Sequence, residues 1–367
     1  MCCVALKRRK IMAYNWEVLA PKLQGILDDA TSSGEEAALQ LEIYDHGERV
    51  ISQASGHDQN GRSITVDDIM PIFSCGKPVM ATAVHCLVQQ GLVSYDLRVG
   101  DVWPEFACNG KEDVLFWHIL THRSGLHILP KTEKLDDLGD WELMCRKMED
   151  AKPAWTPGTK CGYQGITHAW LVGETVRRAT GKPFKQVIEE QIFKPLGIKD
   201  FYFGTTAEAD ARMVRIDSSD YESEESSWCG TFMRNDGVRH GFIPSANGVT
   251  NAKSLARHYA ALVDGGVDGV QLLSRQTIDN ATIFRRWEQD PPKKGDWARF
   301  GLGYALGPED NMGEIFGQGG AAGSEGFVVR SRKLAIALTK NRPLRSSPVH
   351  PVRDRISKAL ELDIRHW

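Results

Sequence analysis

Phe73-Ser74-Cys75-Gly76-Lys77-Pro78-Val79-Met80-Ala81-Thr82-Ala83-Val84 is the stretch on which the reading of this chain turns. Serine and lysine stand three apart, a spacing that brings two side chains onto one face of a helix. A serine hydroxyl is a poor nucleophile at neutral pH unless a neighbouring base takes its proton, and a desolvated lysine can be that base. Val79, Met80, Ala83, Val84, Leu87 and Val88 continue an apolar helical stripe that ends at Gly91. Pro78 is compatible with that helix. With Cys75 as the first helical residue, Pro78 falls among the first four, whose N–H groups have no intrahelical acceptor. Ser74 then sits where free N–H groups and the positive helix end favour a developing oxyanion. Alone, S-x-x-K reads equally as a serine cap beside a solvated lysine, so the rest of the chain has to decide.

Composition narrows the classes. At 367 residues the chain has room for two lobes or one large mixed domain. With 41% hydrophobic residues, 25% charged residues and a net charge of −3, it reads as an ordinary soluble globular protein. That balance gives no support to nucleic acid or an anionic membrane as a partner, and no stretch is long enough to span a bilayer. In Met1 to Lys10 the charges follow a very short apolar run, the reverse of a secretory signal. The expectation is a cytoplasmic protein whose residues 1–15 form a disordered tail, with Met12 as an alternative start. The eight cysteines show no C-x-x-C and no regular spacing, as expected of free thiols in a reducing compartment. His122 and His127 have no carboxylate or cysteine at ligand spacing, so neither a metal nor another cofactor is expected.

Trp16 to Ala30 reads as an amphipathic helix, with Leu19, Leu23, Ile26 and Leu27 at helical spacing. Ala38 to Tyr44 and Arg49 to Ser55 read as strands joined by a turn at Asp45-His46-Gly47-Glu48. From the Ser74 helix to about residue 225 the signals are mostly helical: Val114 to Leu120, Trp141 to Met148, His168 to Ala179 and Phe184 to Phe193. Asp217 to Ser227 is polar and acidic and reads as a surface loop, a candidate lid. A helix over Asn251 to Asp264 follows, then strands at Phe300 to Leu306, Glu325 to Arg330 and Leu334 to Thr339, and a closing helix over Asp354 to Leu362. Strands at both ends and helices between them predict a discontinuous sheet domain (16–73 with 226–367) and a helical domain (74–225) inserted into it.

Two further stretches carry chemistry. Tyr163 lies in Thr156-Pro157-Gly158-Thr159-Lys160-Cys161-Gly162-Tyr163-Gln164-Gly165, where a Pro-Gly turn aims the chain and flanking glycines allow close backbone approach. A phenol near a lysine ammonium can act as general base and acid. Gly317-Gln318-Gly319-Gly320-Ala321-Ala322-Gly323 can lay an edge strand flat against a substrate and offer the Ala321 N–H to an oxyanion, although alone it also reads as a glycine-rich turn. A serine–histidine triad competes poorly. The nearest approach to G-x-S-x-G, Ala322-Gly323-Ser324-Glu325-Gly326, lacks its first glycine, and no spacing couples His118, His122, His127, His168 or His240 to a serine. Trp141, Trp155, Trp228 and Phe232 are candidates for an aromatic pocket wall as well as for core positions.

In this order the pieces resemble the serine β-lactamase superfamily, specifically the class C β-lactamase-like esterases and transesterases related to penicillin-binding proteins. The likeness runs from about residue 20 to 345. It includes Val88 to Leu97, Trp103-Pro104-Glu105-Phe106, Ile119-Leu120-Thr121-His122-Arg123-Ser124-Gly125-Leu126, Trp155-Thr156-Pro157-Gly158, Pro195-Leu196-Gly197-Ile198 and Gly301-Leu302-Gly303-Tyr304. The resemblance implies an α+β fold of β-lactamase/transpeptidase type: an antiparallel sheet flanked by helices from both termini, an all-α lobe, and the active site in the cleft between. It implies that Ser74 attacks a carbonyl, that Lys77 and Tyr163 handle the proton, and that the N–H groups of Ser74 and Ala321 hold the oxyanion. Gln318, Gly319, Gly320 and Gly165 are then the expected substrate contacts. Two positions depart from the family. Its second motif carries Asn or Ser where Gly165 stands, and its third carries Lys or His where Gln318 stands, which removes a charge that favours a carboxylate. The expected activity is that of an intracellular serine esterase on a small ester or thioester. The alternatives are an acyltransferase passing the acyl group to a natural-product acceptor or drawing on a carrier-bound thioester, a β-lactamase or D,D-peptidase, and a non-hydrolytic enzyme or binding protein on the same fold.

Overall fold

The computed structural model describes residues 13–217, 224–283, 299–307, 313–343 and 350–364. The expected tail with Cys2 and Cys3, apart from residues 13–15, and most of the 217–227 loop lie outside them.

Helix α1 (Trp16–Ser32) is capped by the Asn15 side chain and leads into β1 (Ala38–Asp45) and β2 (Glu48–Gly56). The turn between the strands takes His46 at φ 53 and Gly47 at φ 83, the left-handed pair that matches the twist of a tight hairpin. Three strands from the far end of the chain join this hairpin: β7 (Ile315–Gly319), β8 (Glu325–Val329) and β9 (Leu334–Lys340). With the two-residue β6 (Ala305–Leu306) they form one antiparallel sheet in the order β2-β1-β9-β8-β7-β6. Side chains alternate across it. Leu39, Leu41 and Ile43 of β1, with Leu334, Ile336 and Leu338 of β9, pack against Leu23 and Leu27 of α1 and against Val352 and Ile356 of the closing helix (Pro351–Ala359). Ala335 and Ala337 face the other way, into the larger core that contains Leu255 and Tyr259 of the helix Ala252–Ala260. The sheet is therefore covered on both faces.

Helix α2 (Gly76–Gln89) is buried on every side from Gly76 to Leu87, more than the single stripe read from its apolar residues. Its polar positions find partners: Thr82 Oγ1 lies 2.9 Å from His258 Nε2 and 2.8 Å from Tyr304 Oη. Gly303, at φ 87, passes so close to α2 that an added Cβ would meet Ala81 Cβ at 2.4 Å, which accounts for the glycine in Gly301-Leu302-Gly303-Tyr304. The middle of the chain also supplies α3 (Trp141–Asp150), α4 (His168–Thr180) and α5 (Glu224–Arg234).

Several expectations change. Three short strands, β3 (Met70–Phe73), β4 (Phe201–Phe203) and β5 (Gly248–Thr250), pair into a second antiparallel sheet that no periodicity announced. Three or four residues are too few to show alternation. The acidic stretch read as loop to Ser227 is helical from Glu224. Phe300–Leu306 is mostly turn around Gly303, and only Ala305–Leu306 pairs as a strand. The segment at Phe184 splits into a helix to Ile188 and a π-helical turn over Glu189–Phe193. The closing helix begins at Pro351, whose missing N–H costs nothing in the first turn. No helix among the described residues is long and apolar enough to cross a membrane.

Candidate active site

Helix α2 starts at Gly76 with Cys75 as its cap, so Ser74 sits one residue ahead of that cap, on the turn leaving β3. That turn is strained: Phe73 adopts φ 48, an uncommon state for a bulky residue, and the β3–β5 register shifts there. Pro78 is the third helical residue and sacrifices no helical hydrogen bond. The buried Cys75 thiol donates toward Ser324 O at 3.1 Å and Gln318 O at 3.4 Å, which ties the serine turn to β7 and β8. Gly320 completes the contact, because a Cβ there would lie 2.2 Å from Ile72 O.

Lys77 Nζ lies 3.1 Å from Ser74 Oγ, as the spacing required. The side chain is 1% exposed and meets no carboxylate among the described residues. Its other neighbours are two carbonyls, Gly165 O at 2.7 Å and Ser245 O at 2.8 Å. Burial pulls the Lys77 ammonium down to about 7, with Cys75 acting in the opposite direction. A neutral amine has two N–H groups and one lone pair. The two carbonyls can only accept, so they take both N–H groups, and the lone pair is left for the Ser74 hydroxyl.

Tyr163 reaches the same hydroxyl. Burial pushes its phenol above its ordinary range, and a hydrogen bond with Ser74 works against that rise. Its ring lies 4.8 Å from Lys77 Nζ and stacks on Phe300 at 5.8 Å. His122, held at φ 59, packs on Tyr163 with ring centroids 4.9 Å apart and accepts the Gln164 N–H through Nδ1 at 3.2 Å. His168 lies 4.8 Å from His122, and burial holds both imidazoles well below their usual range. These two histidines therefore frame Tyr163 and Lys77 as neutral groups. His127 instead stacks on Trp155 at 4.8 Å, and His240 pairs with Asp210 at 2.7 Å. Ser324 is buried, its hydroxyl donating to Lys340 O at 3.3 Å, which removes it as a nucleophile.

On the third side, Gln318 Nε2 donates to Gly319 O at 3.2 Å and stands 3.5 Å from Tyr163 Oη. β6 pairs with β7 only as far as Gly317, so among the described residues no strand covers Gln318–Gly319 on that side. A Cβ at Gly319 would meet nothing within 4 Å, and one at Gly165 only Tyr163 Cε1 at 3.9 Å. A tight turn follows, with Gly323 N donating to Gly320 O at 2.8 Å. The N–H groups of Ser74 and Ala321 have no backbone acceptor among the described residues.

Of the four aromatic candidates, two pack on Phe73, the residue before Ser74. Trp228 stacks on Phe232 at 4.6 Å, and both approach Phe73, at 6.3 Å and 6.4 Å. Trp155 packs under Gly162, next to Tyr163, whereas Trp141 bonds Glu174 at 3.0 Å and packs on Phe242. Residues missed in the sequence are Ser245, which acts through its backbone, and Cys75, whose thiol carried no signal beyond its place beside Ser74.

Residues 23–361 match the Beta-lactamase family, and the chain belongs to it. This makes it a serine hydrolase of the family VIII esterase and β-lactamase type. It is 29% identical over 331 residues to the esterase/beta-lactamase LipL of Mycobacterium tuberculosis, covering 83% of this chain and 77% of the relative. Esterase EstB of Burkholderia gladioli is 29% identical over 204 residues, covering 50% of this chain and 52% of its own. A crystal structure of a family VIII carboxylesterase superposes with a TM-score of 0.82 at 26% identity, over 93% of this chain and 96% of that one.

Proposed function

We propose that this protein is a serine esterase that works through an acyl-enzyme on Ser74, with a neutral small-molecule ester or thioester as substrate. The observation that carries the reading is a buried lysine with no carboxylate beside it, 3.1 Å from a serine hydroxyl that a tyrosine also reaches. With its amine near neutrality, Lys77 takes the Ser74 proton as Oγ attacks the carbonyl carbon. The N–H groups of Ser74 and Ala321 hold the oxyanion. Tyr163 stays a neutral phenol at neutral pH and gives its proton to the leaving oxygen or sulfur, then regains one from Lys77. Water, or a bound alcohol or amine acceptor, then attacks the acyl-enzyme and restores Ser74. The reaction occupies the cleft between a helical lobe (74–225) and a sheet lobe (16–73 with 226–367).

Gln318 offers an uncharged amide where a cation would select a carboxylate, which argues for neutral esters and against β-lactams and peptide ends. The exposed Trp228, which packs on the buried Phe232 and on Phe73 beside Ser74, is an apolar face that favours lipophilic acyl groups. The relatives described as esterases point the same way. The test is intact-protein mass after exposure to a fluorophosphonate, with Ser74→Ala alongside. One adduct on the wild type and none on the variant is the expected result, and no adduct on either overturns the acyl-enzyme reading. Negligible nitrocefin turnover is expected of the same preparation, and rapid turnover would overturn the preference for neutral esters.

A further inference from the structure

The second family motif ends here in glycine, so its third position has no side chain with which to reach Lys77. The backbone reaches it instead. Gly165 O takes one Lys77 N–H at 2.7 Å, and Ser245 O, from a different part of the chain, takes another at 2.8 Å. The Ser245 hydroxyl in turn lies 3.1 Å from Gly165 O and 2.9 Å from Ile166 O. Ser245 is 0% exposed, and among the described residues its hydroxyl meets these two carbonyls alone.

The loop that carries Ser245 is held rigidly. Ala246 N and Asn247 N both donate to Ile243 O, at 2.8 and 3.0 Å, and Asn247 Nδ2 donates to Val238 O and Gly241 O at 2.8 and 2.7 Å. It presses on the start of α2 so closely that a Cβ on Gly76 would lie 2.1 Å from Pro244 O. The glycine between Ser74 and Lys77 is thus what lets this loop reach the lysine.

We propose that Ser245 is a positioning residue for Lys77, its single hydroxyl proton shared between the Gly165 and Ile166 carbonyls and so competing with the ammonium for Gly165 O. The proposal rests on the acyl-enzyme reading above. An acceptor shared with a hydroxyl proton offers less negative potential to an ammonium, so this sharing favours the neutral amine. Removing the hydroxyl leaves the Gly165 carbonyl wholly to the ammonium and makes the base harder to deprotonate. The other titratable groups facing Lys77 are Tyr163, His122, His168 and the Cys75 thiol, all neutral near pH 7, so none masks such a change.

The experiment is the pH dependence of fluorophosphonate labelling at Ser74, followed by intact mass, in the wild type, Ser245→Ala and Ser245→Thr, with kcat and KM on a p-nitrophenyl ester. Circular dichroism establishes that each variant is folded. Ser245→Ala is expected to move the acidic limb upward by about half a unit or more and to lower kcat at pH 7 by about twofold or more while KM stays. Ser245→Thr keeps the hydroxyl and is expected to keep the wild-type limb. A folded Ser245→Ala with the wild-type limb overturns the proposal, as does a Ser245→Thr shifted as far as the alanine variant. A wild type that takes no label overturns the acyl-enzyme reading and this proposal together.

Discussion

Lys77 and Lys340 are two lysines with the same degree of burial and opposite company. Each is 1% exposed. Lys340, at the end of β9, meets the carboxylate of Glu36, itself 4% exposed. Lys77 meets two carbonyls and a hydroxyl and, among the described residues, no carboxylate. Burial works against the charge on both, but Glu36 opposes it at Lys340 whereas nothing comparable does at Lys77. A third buried lysine, Lys111, refines the contrast. It too donates to carbonyls, Glu149 O at 2.7 Å and Ala151 O at 2.6 Å, yet the side chain beside it is the Cys108 thiol and no serine hydroxyl. Carbonyl company alone therefore does not define a base. What sets Lys77 apart is a buried amine that, among the described residues, has no carboxylate beside it and faces a serine hydroxyl.

The sharpest way to break this comparison is to remove both cations in turn. Lys77→Met is expected to cost at least about 100-fold in kcat/KM. Because it deletes an uncompensated buried amine, it should also raise the melting temperature. Lys340→Met does the reverse, leaving Glu36 buried and unpaired at a cost of about 3–5 kcal/mol in stability, with catalysis little changed while the protein is folded. Paired activity and thermal-melt measurements decide. A Lys77→Met variant that melts below the wild type would end the claim that this lysine is held against stability.

Tyr163→Phe is the next largest effect, about 100-fold in kcat with KM near the wild-type value, if the phenol delivers the leaving-group proton. Equal losses in kcat and in ground-state binding would make it a packing residue instead. A smaller effect follows from pH. Lys77 is charged below about 7, so kcat/KM should fall about tenfold per unit as pH drops through that value. The same depressed ionisation means that the unfolded chain binds more protons than the folded one between about 7 and the usual lysine range. From this group alone, stability therefore rises with pH over that window, and the slope should vanish in Lys77→Met.

How much of this was legible depended on distance along the chain. Ser74 and Lys77 meet because helix geometry joins positions three apart, and the hairpin β1–β2 could be placed from alternation and its turn residues. The second sheet was not legible, since β3, β4 and β5 are short and come from three separated parts of the chain. Helix α5 was hidden by its acidic, serine-rich lead-in, although Trp228 and Phe232 stand four apart and stack. Ser245 had no signal at all, because its contact with Lys77 is made by a carbonyl, which every residue carries.

The sequence by itself determined that Ser74 and Lys77 would meet, the alternation that builds the main sheet, and the order of motifs that identifies the family. Each of these is local, or is a pattern of residue types. Only the tertiary structure decided that Lys77 is buried without a counter-ion, that Tyr163 arrives on the same hydroxyl from 89 positions further on, and that a rigid loop presses Ser245 against Gly76 and Lys77. Desolvation is a property of everything packed around an atom, and no spacing rule along one chain contains it.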